Sequence, residues 1–246
     1  MDRLVYTAMT GAKHIMDQQA TTSNNLANAT TTGFRAQLDT FRAVPVTGDG
    51  LPTRAFVVNS TAGTDFSQGS MQETGRSLDV ALQGPGWLAV TMPDGSEAYT
   101  RSGSLKVTEN GLLLGSNGMP IQGDGGAITI PPNVTVNIGS DGTISSLNTG
   151  PVPGPANTVG RLKLVNPPEQ DLVRGEDGLF RLKSGDPAPT DPNVRVLGGS
   201  LEGSNVNVVE SMVTMISLAR AFETQMSLMK NAENNAAKAS QILALN

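Results

Sequence analysis

The feature that most constrains this chain is a sustained seam near its C-terminal end. Met212, Met215, Ala219, Phe222, Met226, Met229, Glu233, Ala236, Ser240 and Leu243 follow one another in alternating steps of three and four residues. That is the 3.5-residue period of a helix that keeps one face against a partner. No proline interrupts the stretch, so one helix is predicted over about 205–245, far longer than the roughly 11 or 12 residues usual in globular domains. Asn207 followed by Glu210 reads as a capping box at its start, each side chain taking up a free amide.

The N-terminal end carries a matching pattern. Val5, Ala8, Ala12, Ile15, Gln19, Thr22 and Leu26 predict a second amphipathic helix over 2–30. Gly33 then supplies the left-handed residue that closes a helix, and Phe34 anchors the exit. Asp2, Arg3, Lys13, His14 and Asp17 leave no continuous apolar region of a secretory signal. Charged or turn residues also break every stretch short of the about 18 apolar positions that a membrane span needs.

Between the helices the character changes. Asp94-Gly95, Asn110-Gly111, Asn117-Gly118, Asp141-Gly142 and Asp177-Gly178 suit type I′ hairpin turns. They punctuate short β-prone runs such as WLAVTM, AYTRSG, SLKVTE, GLLLGS, VTVNIG and LFRLK. With 28 glycines and 15 prolines among 246 residues, the expectation is many short strands joined by tight turns. Pro45, Gly48, Gly50 and Pro52 make residues 35–75 read as an extended connector with a strand at Ala55–Asn59, and Gly150–Pro155 as a loop. The fold class is therefore α+β: a discontinuous α-helical coiled-coil domain from both termini (1–34 and 203–246), the connector (35–75) and a central antiparallel β domain (76–202). A helix at each end implies that the chain leaves a helical layer and returns to it.

Several functions lack support. A formal net charge of −5 without a basic stripe offers no footprint for a phosphate backbone, so no nucleic-acid partner is expected. The chain has no cysteine, and His14 is its one histidine, so thiolate and His-rich metal sites are excluded. No cofactor is expected. No serine sits in a G-x-S-x-G elbow, and the GDGG at 123–126 lacks the Lys and Ser/Thr of a phosphate loop. Asp171 with Glu176 and Asp177, or Glu97 with Glu109, are the pairs that could do acid–base work on a glycan. Carboxylates beside hairpin turns are ordinarily solvated, and no catalytic residue is assigned.

The helices themselves point to assembly. Gln19, Thr22, Glu233 and Ser240 leave polar gaps that weaken a private two-helix hairpin. Met9, Met16, Met212, Met215, Met226 and Met229 can fill core gaps or adapt to interfaces of slightly different shape. Asn24, Asn25 and Asn28 stand in the last turns of the first helix, where asparagine is a poor helix former. C-terminal capping and amide bonding across a helix interface both account for them.

The segment SNNLANATTTGFRAQ (23–37), with its asparagine pair, Leu-Ala-Asn and Gly-Phe-basic run, resembles the N-terminal signature of bacterial flagellar rod and hook proteins. GSLEGSNVNVVESMVTMI (199–216), with Arg220, Phe222 and Glu223, resembles their C-terminal motif. Residues 78–123 resemble the β domain that they share. Length and the run RAQLDTFRAVPV look most like a proximal-rod member rather than a distal-rod or hook subunit. One departure is Val208, where relatives commonly carry proline just inside the second helix.

The resemblance implies a non-enzymatic structural subunit of the basal-body rod that transmits torque. It implies export by the flagellar type III apparatus without a cleaved signal peptide, and assembly in the periplasm without membrane insertion. Implied partners are other rod proteins, copies of the chain itself and, during secretion, the export apparatus. Carried over position by position, it implies subunit-interface roles for Asn24, Asn25, Leu26, Asn28, Gly33, Phe34, Leu201, Glu202, Ser204, Asn205, Val206, Met212, Ile216 and Phe222.

Overall fold

The computed structural model describes residues 2–45, 55–148 and 155–244. The turn residues Gly48, Gly50 and Pro52 and the expected loop at 150–154 lie outside them. The chain divides into two compact units: a helical unit of residues 1–29, 36–65 and 206–246, and a β unit of residues 30–35 and 66–205.

In the helical unit, α1 (Asp2–Ala27) packs on α2 (Val208–Ala244). The seam read for α1 faces inward: Ala8 and Ala12 are buried, and Val5, Ile15, Gln19, Thr22 and Leu26 are half-buried. For α2 the stripe is displaced in part. Met215, Ala219, Phe222 and Met229 of the seam are half-buried, joined by Ser211, Leu218, Gln225 and Ala232, whereas Met212, Met226 and Glu233 are exposed; the side chains of Ala236, Ser240 and Leu243 lie outside those described. The partner explains this displacement. α1 offers Ala8, Gly11 and Ala12, and the Gln225 side chain comes within 3.5 Å of the place a Cβ at Gly11 would occupy. A flat stem fits over a small-residue face better than the methionine beside it. At the start of α2, the Asn207 side-chain carbonyl accepts the amides of Val209 (3.1 Å) and Glu210 (3.2 Å). This cap starts the helix at Val208 without proline.

Within residues 35–75 the expected strand at Ala55–Asn59 is present as part of a longer one, and a second strand precedes it where a connector was expected. β1 (Gln37–Pro45) and β2 (Ala55–Thr64) pair antiparallel from Gln37 against Thr64 to Pro45 against Ala55, with a register break between Thr40 and Phe41. The partner of this ribbon is α1, the helix that precedes it in the chain. Alternate residues of β1 meet α1: Gln37 bonds Asn25, Asp39 accepts from Thr21 (3.0 Å), and the Phe41 ring lies edge-on to His14 at 5.7 Å. A strand's period of two thus runs along one helix face.

The β unit centres on a five-stranded antiparallel sheet, in the order Leu164–Val165, Trp87–Thr91, Glu97–Thr100, Phe180–Leu182, Leu172–Arg174. Its second strand, Trp87–Thr91, is buried on both faces. Leu88 and Val90 join a large aliphatic core with Leu82, Leu105, Leu113, Ile121, Ile144 and Leu162. Trp87 and Ala89 join Tyr99, Val165, Leu172 and Phe180 on the other side. A three-stranded sheet of Val134–Ile138, Thr143–Asn148 and Asn157–Arg161 adds to the first core.

The Asp/Asn-Gly turns are hairpins, but not of type I′. Gly95, Gly111, Gly118, Gly142 and Gly178 have φ of 83°, 81°, 77°, 83° and 78°, while Asn133 is the one described non-glycine residue with positive φ. In each turn the glycine amide returns to the carbonyl three residues back, at 2.9–3.1 Å. That is a type I turn closed by a left-handed glycine. The preceding carboxamide or carboxylate fixes it: Asp94, Asn117, Asp141 and Asp177 accept the amide two residues on, at 2.9–3.1 Å.

Candidate functional site

The residues singled out by sequence fall in both units. In the helical unit, Asn28 caps α1, its Nδ2 donating to the Asn24 carbonyl at 2.9 Å and its own amide meeting Asn24 and Asn25 carbonyls at 3.1 Å. The helix therefore ends at Ala27, before Gly33. Asn25 does something different. Its Nδ2 donates to the Gln37 carbonyl (2.9 Å) and its Oδ1 accepts the Gln37 amide (2.8 Å). The side chain imitates a strand backbone and starts β1 on the helix. Leu26 is half-buried and Asn24 is exposed.

In α2, Met212 and Ile216 are exposed at 50% and 56%, together with Val209 (71%) and Val213 (62%). These four, at i, i+3, i+4 and i+7, form one apolar face. Val206 and Phe222 are half-buried. On α1, Tyr6, Met9 and Met16 are exposed as well.

In the β unit the remaining residues converge from both ends of the chain. The Gly33 amide donates to the Glu202 carbonyl at 2.8 Å, and the Asn205 amide reaches the Phe34 carbonyl at 3.4 Å. Gly33 has φ +69°, and a Cβ there would stand 2.4 Å from the Arg101 carbonyl carbon and the Ser102 nitrogen. Only glycine fits that approach. Leu201 and Glu202 extend a strand, Ser200–Glu202, paired with Met71–Glu73. Asn205 also donates to the Ser67 carbonyl at 3.1 Å, and Ser204 is half-buried beside it.

The centre of this clasp is the Glu202 carboxylate, 0% exposed. One oxygen lies 2.7 Å from Arg35 and accepts the Gly69 amide at 3.1 Å. The other accepts Nε (2.8 Å) and faces Nη2 (2.7 Å) of Arg101. Arg101 also donates to the Gly84 and Gly86 carbonyls at 2.9 and 2.7 Å. Burial depresses the Arg101 pKa, and the charge of Glu202 opposes that shift. Phe34 is buried, with the Arg174 guanidinium 4.4 Å from its ring centroid, and Arg174 donates to the Arg35 carbonyl at 2.7 Å. Removing one partner of such a buried pair costs about 3–5 kcal/mol, because the other charge is stranded.

Arg35, Arg101 and Arg174 belong to the clasp, and sequence reasoning did not single them out. Arg35 stands in the first motif as its basic residue, and an isolated Glu202 in a run of small residues was a signal that a counter-charge exists. Arg101 and Arg174 carry no local signal, since the sheet brings them in from distant strands.

The catalytic alternative finds no suitable pair. Glu97 is engaged by Lys163 and by the Tyr99 hydroxyl. Asp177 is held below the ordinary carboxylate range, first by hydrogen bonding from Arg181, the opposite of what a general acid needs. Among the described residues no group of three acidic or histidine side chains could hold a metal ion, and no helix is long and apolar enough to cross a membrane.

Comparison with known proteins agrees with this division. Residues 5–35 match the model of the flagella basal body rod protein family, 81–146 that of the flagellar hook protein FlgE/F/G D1 domain, and 197–242 that of the flagellar basal body rod FlgEFG protein C-terminal region. The flagellar basal-body rod protein FlgF of Escherichia coli is 50% identical, and that of Salmonella typhimurium 47%, each over the full length of both chains. A FlgG relative of Buchnera aphidicola is 34% identical over 89% of this chain and 92% of its own. Joined to an architecture in which both end motifs clasp one β unit, these matches mean that the chain belongs to the flagellar basal-body rod protein family, in which it is most like the FlgF members.

Proposed function

We propose that this chain is a non-enzymatic subunit of the proximal rod, built into the basal body through α1 and α2 packing as a coiled-coil layer with copies of itself and with other rod proteins. Export through the flagellar type III apparatus and assembly in the periplasm complete the reading, and torque passes along lateral helix contacts. The observation that carries it is the apolar face of α2, where Val209, Met212, Val213 and Ile216 stand 50–71% exposed. Large exposed apolar patches mark interaction sites, and α1 covers a different stripe of this helix.

Within the sequence motifs this divides the labour. Met212 and Ile216, joined by Val209 and Val213, make contacts between subunits. Gly33, Phe34, Glu202 and Asn205 fasten the β unit, while Asn25 and Asn28 shape the end of α1.

Photo-crosslinking from Val209 and from Ile216 in flagellated cells tests the proposal. The expected products are adducts with other rod proteins or with a second copy. Incorporation into basal bodies with these positions uncrosslinked, or with adducts only inside the same chain, would overturn it.

A further inference from the structure

The buried charge around the clasp does not balance. Two guanidiniums, Arg35 at 2% and Arg101 at 3% exposure, face one carboxylate, Glu202. Arg35 is also incompletely used. It makes an ion-pair contact with Glu202, but its Nε finds no hydrogen-bond partner among the described residues. Both arginines line a cavity of about 320 Å³ within the β unit, together with Phe66, Gln68 and Trp87. The Arg101 guanidinium carbon lies 5.9 Å from the Trp87 ring centroid. Glu169, the one acidic residue of the wall, is exposed and keeps its hydration. A cavity with surplus buried positive charge in its wall attracts an anion, and planar guanidinium forks favour a carboxylate. The volume is at the lower end of the roughly 300–1,000 Å³ of ligand pockets, enough for an acidic side chain or a small organic acid and too small for an oligosaccharide.

We infer that this cavity is a carboxylate-binding site, in which a second carboxylate joins Glu202 between Arg35 and Arg101 against the face of Trp87. The inference goes beyond the rod assignment and stands independently of it. The carboxylate comes from an Asp or Glu of a neighbouring protein or from a free or cell-wall acid.

Trp87 is the sole tryptophan, so its emission reports on the cavity. The purified full chain is titrated at pH 7 with sodium acetate and with sodium succinate, against sodium chloride at equal ionic strength. The expected result is a saturable change in Trp87 emission for the carboxylates that chloride does not reproduce. Arg35→Lys, which keeps the charge and removes the fork, weakens the response at least tenfold. Should Arg35→Lys unfold, Gln68→Glu supplies a carboxylate at the wall and abolishes the acetate response in a chain with unchanged circular dichroism. An acetate response indistinguishable from chloride, or one untouched in folded Gln68→Glu, overturns the site. Photo-crosslinking from Gln68 in flagellated cells separates the sources. An adduct with an Asp- or Glu-bearing segment of another protein identifies a protein carboxylate. A retained acetate response without protein adducts identifies a small or cell-wall acid. An adduct with a segment lacking acidic residues overturns the assignment.

Discussion

The β unit and the helical unit treat apolar residues in opposite ways. In the β unit the strand Trp87–Thr91 sends Leu88 and Val90 into one core and Trp87 and Ala89 into another, each of them at most 5% exposed. In the helical unit Ala8 and Ala12 are the only hydrophobic residues buried among those whose side chains are described. Its larger side chains are at best half-buried, as Ile15, Leu26, Met215 and Phe222 are, and Tyr6, Met9, Met16, Val209, Met212, Val213 and Ile216 stand in solvent. Small buried residues release little free energy, at about 25 cal/mol per Å² of apolar surface, and ordering each residue costs about 1–2 kcal/mol. The difference teaches that one unit closes its cores within a single chain while the other leaves apolar surface uncovered.

The comparison breaks most visibly at the α2 face. Ile216→Asp is expected to abolish swimming and rod incorporation, yet to leave the Trp87-monitored thermal transition of the purified chain within about 0.5 kcal/mol. A large loss in that transition would mean that the helical unit is no weaker than the β unit.

Next in size is the clasp. Glu202→Gln leaves two guanidiniums without a counter-charge, and the β unit should lose about 3–5 kcal/mol, a fall in melting temperature of roughly 10 °C. Gly33→Ala should follow at about 1–3 kcal/mol, because its Cβ meets the backbone of Arg101 and Ser102. Gly95→Ala is the control. Its φ is also positive, at +83°, but nothing lies within 4 Å, so it should lose only about 1–2 kcal/mol. Equal effects would show that conformation, not close approach, selects glycine at position 33.

Asn25→Ala should cost about 1 kcal/mol and act on the helical unit alone, read as faster proteolysis of the 37–64 ribbon with the Trp87 transition unchanged. The smallest effect is acid sensitivity. Hydrogen bonds from the Ser96 and Thr143 hydroxyls hold Asp94 and Asp141 below the ordinary value of 3.8. A depressed carboxylate contributes stability above that value and loses it as pH falls through the lower folded-state pKa. The β unit should therefore soften below about pH 4, and Asp141→Asn should shrink that softening. An unchanged acid profile in Asp141→Asn would remove the turn carboxylates from the account.

Legibility in the sequence followed the range of each interaction. Seams in α1 and the Asp/Asn-Gly hairpins depend on neighbours within a few residues, and they were readable. The turn type was not, because the same dipeptide serves both when its first residue stays right-handed and its side chain accepts the amide two residues on. The α2 stripe shifted because its register answers to Gly11 on another helix. β1 read as a connector because Asn25, Thr21 and His14, not a hydrophobic alternation of its own, hold the ribbon. The motif residues could be named from sequence, but which of them are buried in the clasp and which are exposed depends on Arg101 and Arg174, which arrive from distant strands.

The bonds from Asn205 Nδ2 to the Ser67 carbonyl and from the Gly203 amide to the Ser70 carbonyl bring the two ends of segment 66–205 of the β unit together. A segment with joined ends can be lengthened, trimmed or exchanged without altering the separation of the two strands of chain that leave it. In this way the segment can change size while the helices stay as they are. The graft site in this chain lies between residues 66 and 205, with Arg101 and Glu202 travelling with the module and Arg35 waiting on the short segment 30–35 as the other half of the buckle.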